Sequence, residues 1–332
     1  MKCALLIGIN YIGTSSYLNG CINDICDIYR LCKKNNYSYF CVLSDDALPS
    51  DIKYKNISTL PTKENIIKEI KNFMNYSKDG DELYIHYSGH GSQIQCTTNE
   101  ETDGFNEVLV PLDYQKNGII KDNELRDIIV TPLLNKTVKL RAIFDCCHSG
   151  TILDLKYNLQ LNTKRVIDLP KVIEDNIDKE LINKMVKEQV TKELKKYLDD
   201  DIVDKYIKKN EDINDNINND TEIVEINNNV KKIISYNKFI NKINDDKHKL
   251  DIILLSGCSD NQTSADAKFN NKANGALTKI FIEIYENYMK NDVPNVVKFL
   301  DDIRLSIKNN KFSQIPQLSS ETPFTNNRKF NL

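Results

Sequence analysis

Two short segments of this chain carry residues that could perform nucleophilic chemistry. Cys146 and Cys147 follow the apolar run 138–144 and precede a tight turn that ends at Gly150. His90 follows a second apolar run and has a glycine on each side. A cysteine attacks a carbonyl only as the thiolate, so it needs a neighbouring base, and histidine suits this role because its pKa lies near neutrality. The two segments together predict a cysteine nucleophile with a histidine partner.

Of the two adjacent cysteines, Cys147 is the predicted nucleophile. Side chains alternate along a strand, so Cys146 is expected to face the opposite side and to pack. The N–H groups of Gly91 and Cys147 are expected to form an oxyanion hole. His86 lies inside the strand and is expected to be a satisfied structural histidine. A zinc site at Cys146, Cys147 and His148 is disfavoured, because adjacent ligands cannot spread around a tetrahedron.

Composition limits the class of protein. A chain of 332 residues can form one large or two ordinary domains. Its net charge of −3 argues against a nucleic-acid-binding surface. Nine cysteines without a framework spacing favour a reducing compartment, and no apolar stretch approaches the roughly 18 residues of a membrane span. We therefore expect a cytoplasmic, monomeric protein without nucleic-acid or membrane partners.

The elements around the motifs predict an α/β fold. Nearly continuous apolar runs predict strands that are buried on both faces, at 3–9, 39–43, 83–87, 140–144 and 252–255. Amphipathic helical patterns follow Thr62, Asp122 and Asn274. This alternation predicts a mostly parallel sheet flanked by helices in a three-layer sandwich. Ligands of such sheets bind beyond the carboxyl ends of the strands, where His90, Cys147 and segment 256–258 fall.

The stretch 166–249 has a different composition. It has no glycine from 168 to 249 and is rich in Asn, Asp, Lys and Ile. Segment 172–198 has helical spacing, whereas 199–246 has little packable surface. We expect one domain in which a flexible, partly helical insertion at 166–249 separates a part at 1–165, with His90 and Cys147, from a part at 250–332. A role as a regulator and one as an inert appendage stay equally open.

Three motifs in this order resemble the signature of type I metacaspases. They are His86-Tyr87-Ser88-Gly89-His90-Gly91-Ser92-Gln93, Asp145-Cys146-Cys147-His148-Ser149-Gly150-Thr151 and the block 256–266. Segments 275–278 and 313–319 extend the similarity, which covers most of 1–160 and 250–325. Two features depart from the family. We expect no N-terminal Pro/Gln-rich prodomain, and 168–249 has no counterpart among the motifs.

The resemblance implies a caspase–hemoglobinase fold and a cysteine endopeptidase with Cys147 as nucleophile and His90 as its partner. It also implies cleavage of protein or peptide substrates after Arg or Lys, through an acidic S1 pocket at Cys21, Asp24, Ser88 and Asp145. Charge independently supports this preference. The caspase signature has an amide two residues before its cysteine, whereas this chain has the Asp145 carboxylate, which attracts a cation and repels an aspartate.

Two further interpretations concern the S1 pocket, and a third concerns self-processing. Without the resemblance, Asp24 would be interpreted as an exposed charge on a helix. Arg141 falls within a strand and is poorly placed to bind an acidic substrate residue. Lys164, Arg165 and the lysines of 171–249 offer basic residues on exposed chain, so we expect self-processing there.

The resemblance implies modulation by calcium as well. The positions that match the family's aspartate cluster are Asn106, Asp122, Asn123 and Asp154. Two of the four are asparagine, and each replacement removes a negative charge, on which calcium affinity depends. We expect weak binding, on the order of millimolar, and no organic cofactor.

Two other functions remain open. One is a catalytically idle caspase-like scaffold, which the intact pair Cys147 and His90 disfavours. The other is a related peptidase with a preference for Asn or Asp, which the pocket carboxylates disfavour.

Overall fold

The structure, a computed structural model, describes residues 1–56, 59–95, 105–147, 149–159, 250–257, 266–269, 272–290, 295–322, 324 and 328–332. These residues belong to one compact unit, Met1–Leu161 with Asn237–Leu332. The predicted insertion at 166–249 lies outside the described residues, as do Lys164, Arg165, His148 and Cys258. The expected division into 1–165, 166–249 and 250–332 stays a prediction.

The described part of the chain contains a seven-stranded sheet that is mostly parallel. Its strands are Lys2–Gly8 (β1), Tyr39–Ser44 (β2), Glu82–Ser88 (β3), Lys139–Asp145 (β7), Tyr157–Leu159 (β8), Asp251–Ser256 (β9) and Gln317–Ser320 (β12). Strands β2, β1, β3, β7 and β9 lie side by side in parallel. Strand β12 continues the sheet antiparallel to β9 and β8. All five predicted strands are present.

Two small antiparallel sheets accompany the main one. Gly91–Gln95 (β4), Phe105–Leu109 (β5) and Ile120–Lys121 (β6) form the first, directly after His90. Asp266–Phe269 (β10) and Lys272–Gly275 (β11) form the second. The sequence analysis did not predict these strands, which are only two to five residues long.

The helices lie on both faces of the main sheet. They are Cys21–Lys34 (α1), Lys63–Tyr76 (α2), Tyr114–Asn117 (α3), Asp122–Ile129 (α4), Ala276–Met289 (α5) and Val296–Asn309 (α6), with a 3-10 turn at Thr131–Leu133. Helix α2 begins as predicted, because the Thr62 hydroxyl accepts a hydrogen bond from the Asn65 N–H at 3.3 Å. Helices α1 and α6 were not predicted. None of the helices in the described ranges is long and apolar enough to cross a membrane.

Alternating strand residues build two hydrophobic cores. Leu5 and Ile7 of β1 pack with the buried residues of α2 and α4. Ala4 and Leu6 pack on the other side with α1, α5 and α6. Each fully buried leucine or isoleucine contributes about 1.5–3 kcal/mol. The predicted three-layer α/β fold is therefore confirmed, with both faces of the parallel sheet covered.

Structural groups occupy the amino ends of the strands. Arg141 is 1% exposed and forms an ion pair with Asp251. Burial opposes ionisation of Asp251, but the charges of Arg141 and Arg328 outweigh it and lower the pKa of Asp251 to about 2. Arg141 is therefore a structural residue, as predicted. A cavity of about 470 Å³ with Cys3, Cys41 and other residues in its wall lies on this side of the sheet, away from His90 and Cys147.

Candidate active site

Strand register brings the two predicted segments together. Ser88, the last residue of β3, lies opposite Asp145, the last residue of β7. His90 and Cys147 each follow two residues later, on neighbouring parallel strands that lie about 4.8 Å apart. A Cβ atom at Gly91 would be only 2.1 Å from the Cys147 carbonyl oxygen. The backbones of the two segments therefore touch, and only glycine fits at position 91.

The imidazole of His90 is held by a main-chain carbonyl. Its Nε2 lies 2.8 Å from the oxygen of Ser16. A carbonyl oxygen only accepts, so Nε2 carries the hydrogen and Nδ1 is left as the basic nitrogen. Ser16 lies in the loop between β1 and α1, which Asp45 anchors by accepting from the N–H groups of Asn10 at 2.8 Å and Ile12 at 3.1 Å. The sequence analysis missed Ser16, because a backbone carbonyl has no sequence signature.

The two neighbouring cysteines differ in exposure as predicted. Cys146 is fully buried in the core beside β7, whereas Cys147 is half-buried, and neither residue forms a disulfide. Between them the chain turns away from the strand, and the Ser149 hydroxyl closes this turn by donating to the Cys146 carbonyl at 2.9 Å. Cys147 is thus the thiol that remains accessible at the carboxyl edge of the sheet.

His86 is a buried histidine of the site region but cannot serve as the base. Burial lowers its pKa to about 3, so the ring is neutral. Its Nε2 lies 3.4 Å from the Thr278 hydroxyl, and its Nδ1 has no hydrogen-bond partner among the described residues. The prediction of a structural histidine was right about its location. It was wrong that both ring nitrogens would be satisfied.

The N–H of Gly91 points away from β5. Val110 donates to the His90 carbonyl at 3.2 Å, which makes His90 and Val110 a hydrogen-bonded pair of the β4–β5 ladder. Pairs alternate along an antiparallel ladder, so the next pair, Gly91 and Leu109, is a non-hydrogen-bonded one. The Gly91 N–H is directed out of this ladder, as an oxyanion-hole donor has to be.

The predicted S1 carboxylates converge behind the strand ends. Asp24 is 0% exposed and Asp145 is 4% exposed. A Cβ atom at Gly275 would lie 2.2 Å from Asp145 Oδ2 and 2.8 Å from Asp24 Oδ2. The interpretation of Asp24 as an exposed helix charge is therefore wrong, since α1 turns this residue inward. Cys21 begins the same helix one turn earlier and is also buried.

Protein donors hold both carboxylates in place. Asp24 accepts from Ser88 Oγ at 2.7 Å, from Asn274 Nδ2 at 2.9 Å and from the Gly275 N–H at 3.0 and 2.9 Å. Asp145 Oδ2 accepts from the N–H of Thr278 at 2.9 Å and from its hydroxyl at 2.8 Å. The sequence analysis did not assign Asn274 or Thr278 to the site. The motif block that begins at Gly275 was the available signal.

The surroundings of Asp24 disfavour its charged form. Burial is the main cause that raises the pKa of Asp24, the charge of Asp145 adds to it, and the pKa reaches about 8. The donors around Asp24 oppose this rise without cancelling it. A cation placed against these two carboxylates would favour the charged form of Asp24.

The four predicted calcium positions are only partly assembled. Asp122 is fully buried and accepts from the Glu107 N–H at 2.6 Å, whereas its neighbour Asn123 is exposed. Burial and then the charge of Asp122 raise the pKa of Asp154 to about 6. Asp154 Oδ2 is buried without a hydrogen-bond partner in the described part of the chain. Asn106 is buried in β5, next to Glu107.

These positions do not make a complete cation site by themselves. Within the described ranges, no group of three or more His, Cys, Asp or Glu side chains is arranged to hold a metal ion. The guanidinium of Arg126 already lies there, donating to the backbone oxygens of Leu153 and Asp154. The unpartnered Asp154 oxygen and the nearby Asp122 fit a weakly held cation, and the exposed Asn123 does not contribute to that fit.

Comparison with known proteins gives a consistent result. The family described as "Metacaspase, peptidase C14 domain" matches residues 2–156. Metacaspase-1 of Saccharomyces cerevisiae is 32% identical over 327 residues, which cover 98% of this chain and 68% of the yeast protein. Metacaspase-1 of Meyerozyma guilliermondii is 34% identical over 334 residues, covering 99% and 72%, and that of Schizosaccharomyces pombe is 34% identical over 330 residues, covering 98% and 68%.

A solved structure supports the architecture. The crystal structure of a Geobacter sulfurreducens protein resembles this fold with a TM-score of 0.52 and 19% sequence identity. The match covers 98% of this chain and 97% of the other. At this identity the likeness concerns the fold alone.

Proposed function

Because this chain belongs to the metacaspase family, we propose that it is a cysteine endopeptidase that cleaves after Arg or Lys, with Cys147 as nucleophile and His90 as base. Membership makes it a caspase-like cysteine peptidase that acts on protein substrates. What we add to family membership is the pair of reacting residues and the preference for basic substrates.

One observation carries this proposal. Ser88 and Asp145 are register partners, and His90 and Cys147 follow them at the same offset. The contact of Gly91 with the Cys147 backbone removes any space for an intervening side chain. A thiol and an imidazole on touching segments at the carboxyl edge of a sheet support nucleophilic catalysis by the pair.

The chemistry proceeds in two halves. Nδ1 of His90 takes the thiol proton of Cys147, and the sulfur attacks the carbonyl carbon of the scissile bond. The N–H groups of Gly91 and Cys147 stabilise the resulting oxyanion, and His90 then gives its proton to the leaving amine. Water hydrolyses the thioester with His90 as base, which frees the thiol and a carboxylic acid. Throughout, the Ser16 carbonyl keeps hydrogen on Nε2, so Nδ1 remains the nitrogen that exchanges protons.

The acidic pair supports specificity for a basic P1 residue. Two buried carboxylates repel each other, and this repulsion is part of why the pKa of Asp24 is raised. An arginine or lysine side chain would offset the repulsion, because it brings a positive charge to two neighbouring carboxylates. An aspartate side chain would add a third negative charge. Ser88, Asn274 and Thr278 hold the carboxylates by hydrogen bonds, so they are already oriented for a cation.

Calcium and self-processing belong to the proposal as modulators. Asp122 and Asp154 are the residues that would hold the ion, with Asn106 near them. A bound cation would offset the repulsion between the carboxylates of Asp122 and Asp154. This would stabilise the position of the chain that leads back from Asp154 to Cys147. Self-processing at basic residues of 164–249 would use the same specificity on the chain itself.

Peptide hydrolysis tests the proposal directly. Purified protein is incubated with fluorogenic peptides that carry Arg, Lys, Asn or Asp at P1, with and without calcium. Hydrolysis of the Arg and Lys peptides is expected, and both Cys147→Ala and His90→Ala should abolish nearly all of it, since each removes half of one acting unit. Cys146→Ala should retain substantial activity.

The matched cysteine variants separate the alternatives. Activity that survives in Cys147→Ala but not in Cys146→Ala would show that the nucleophile is misassigned. Equal hydrolysis of Asp and Arg peptides would refute the acidic pocket. A folded wild-type protein that cleaves none of the four peptides would favour the idle scaffold.

A further inference from the structure

Two buried tyrosines hold the backbone of His90 through their hydroxyl groups. The His90 N–H donates to Tyr11 Oη at 2.9 Å, and Tyr87 Oη donates to the His90 carbonyl at 2.8 Å. Both tyrosines are 0% exposed. Tyr11 comes from the loop after β1 and Tyr87 from β3, so two separate elements fix the two polar backbone groups of one residue.

The hydroxyl of Tyr11 is inserted into the β4–β5 ladder. His90 and Val110 form a hydrogen-bonded pair, in which Val110 donates to the His90 carbonyl. The reciprocal bond, from the His90 N–H to the Val110 oxygen, would be expected in a regular ladder. Tyr11 Oη bridges these two groups instead, accepting from His90 and donating to Val110 at 2.6 Å. The hydroxyl therefore links the His90 N–H to the Val110 oxygen in place of the direct bond.

The surrounding chain is adapted to this arrangement. A Cβ atom at Gly89 would lie 2.9 Å from Tyr87 Oη and 3.2 Å from Tyr11 Oη, so a side chain at 89 would displace both hydroxyls. Tyr11 itself has a φ of 53°, in the left-handed region that bulky residues avoid. Its ring also lies against the His90 imidazole, with centroids 4.7 Å apart. Backbone strain, a required glycine and a ring contact all coincide at His90.

We propose that Tyr11 and Tyr87 are positioning residues, whose hydroxyls set the place of the His90 imidazole between the Ser16 carbonyl and Cys147. The inference rests on the proposed role of His90 as base. It goes beyond that role by assigning two residues that do not touch substrate. The imidazole can contact the Ser16 carbonyl and the Cys147 thiol at the same time only if the backbone of His90 is held in place. A displacement of a catalytic group by about 1 Å can reduce the rate on the order of 10²-fold.

The hydroxyls remain protonated wherever the peptidase would be assayed. Burial raises the pKa of Tyr11 and of Tyr87 well above that of an exposed tyrosine. Both can therefore donate throughout the pH range in which the assays are run. Replacement by phenylalanine removes only the oxygen atom and leaves the ring in place.

Phenylalanine variants provide the test. Tyr11→Phe and Tyr87→Phe are compared with Tyr84→Phe, which makes the same change at a fully buried tyrosine of β3 whose hydroxyl has no partner among the described residues. We expect kcat to fall roughly 10- to 100-fold in Tyr11→Phe, with KM changed less than about twofold, because neither hydroxyl belongs to the S1 pocket. The double variant should lose little more than Tyr11→Phe alone, since the hydroxyls act as one unit. Tyr84→Phe should match the wild type.

A second readout follows the thiol itself. The rate of Cys147 alkylation by iodoacetamide, measured by mass spectrometry against pH, reports how much thiolate the imidazole maintains. In Tyr11→Phe the alkylation profile should shift toward the pH of an ordinary thiol, about 8.5. Tyr84→Phe should leave it unchanged. Loss of core packing alone would lower thermal stability without moving this profile.

The outcomes are distinguishable. Wild-type kcat and an unshifted profile in both Tyr11→Phe and Tyr87→Phe would overturn the positioning role, as would an equal loss in Tyr84→Phe. If Tyr11→Phe does not fold, Tyr87→Phe decides alone. Absence of hydrolysis by the wild type would contradict the proposed function. The alkylation comparison would then still decide whether the hydroxyls set the relation between His90 and Cys147.

Discussion

Substrate binding should be linked to the loss of a proton from Asp24. Burial and the charge of Asp145 raise the pKa of Asp24 to about 8, so at pH 7 Asp24 is ionised in about one tenth of the free protein. A P1 cation binds best to the doubly ionised pair, because it then meets two negative charges. Binding of a basic residue therefore releases a proton, and affinity should rise with pH up to the pKa of Asp24 and level off above it.

The size of the effect follows from the position of that pKa. Each pH unit below the pKa of Asp24 reduces the fraction of protein with Asp24 ionised about tenfold, which corresponds to about 1.4 kcal/mol of binding free energy. From pH 7 to pH 9 the gain should be roughly tenfold. The assay measures kcat/KM for a peptide with Arg at P1 and for the same peptide with citrulline, its uncharged analogue. Their ratio cancels any effect of pH on the catalytic step itself, because both substrates share that step.

Three variants sharpen this test. Asp24→Asn should lower the ratio at pH 9 by an amount that corresponds to at least a few kcal/mol, because the buried cation is less well paired. The ratio should also no longer depend on pH. Asp145→Asn should move the rise to lower pH, because it removes the charge that raises the pKa of Asp24. Asp51→Asn, which breaks a surface ion pair with Arg30, should change nothing. A wild-type ratio that stays constant from pH 6 to 9 would refute the reasoning.

Three more outcomes are expected. Active protein should cut itself within 164–249 and Cys147→Ala should not, so that identical intact masses of the two after incubation with calcium would contradict self-processing. Calorimetry on Cys147→Ala should find calcium binding with an affinity on the order of millimolar, and binding should weaken below about pH 6, where Asp154 takes up a proton. Micromolar affinity would show that the site is undervalued. An unchanged calcium response in Asp122→Ala would show that it is misplaced. The folded state holds the proton of Asp24 more tightly than the unfolded chain does, because the pKa of Asp24 is raised on folding. The free energy of unfolding should therefore decrease as the pH rises from about 4 to about 8. Asp24→Asn should lack this contribution. If the two proteins differ in unfolding free energy by the same amount at pH 5 and at pH 8, the raised pKa of Asp24 is refuted.

Much of the fold could be predicted from the sequence because its signals are local. The runs at 3–9, 39–43, 83–87, 140–144 and 252–255 are continuous and apolar, as strands covered on both faces must be. Helix α2 carries its own start signal at Thr62. Short elements such as β6 and β10 have no such pattern, since two to four residues cannot express a period.

The sequence determined which residues could react. Cys147 and His90 are of the right types, each follows an apolar run, and the alternation of side chains separates Cys147 from its neighbour Cys146. These are properties of single segments, so they are visible without a fold. The proposed preference for a basic residue also rests on the type of one residue, Asp145, and on its distance along the chain to Cys147.

Only the tertiary structure decided how those residues are held and charged. The Ser16 carbonyl fixes the tautomer of His90 from a loop 74 residues away in sequence. Burial, with the charge of Asp145 added to it, raises the pKa of Asp24, and both arise only when distant segments fold against this residue. Contacts of this kind join distant segments, and backbone groups and pKa values depend on what surrounds them. The sequence points to the candidate reacting residues, and the packing of remote segments determines where their hydrogens lie and how their surroundings are charged.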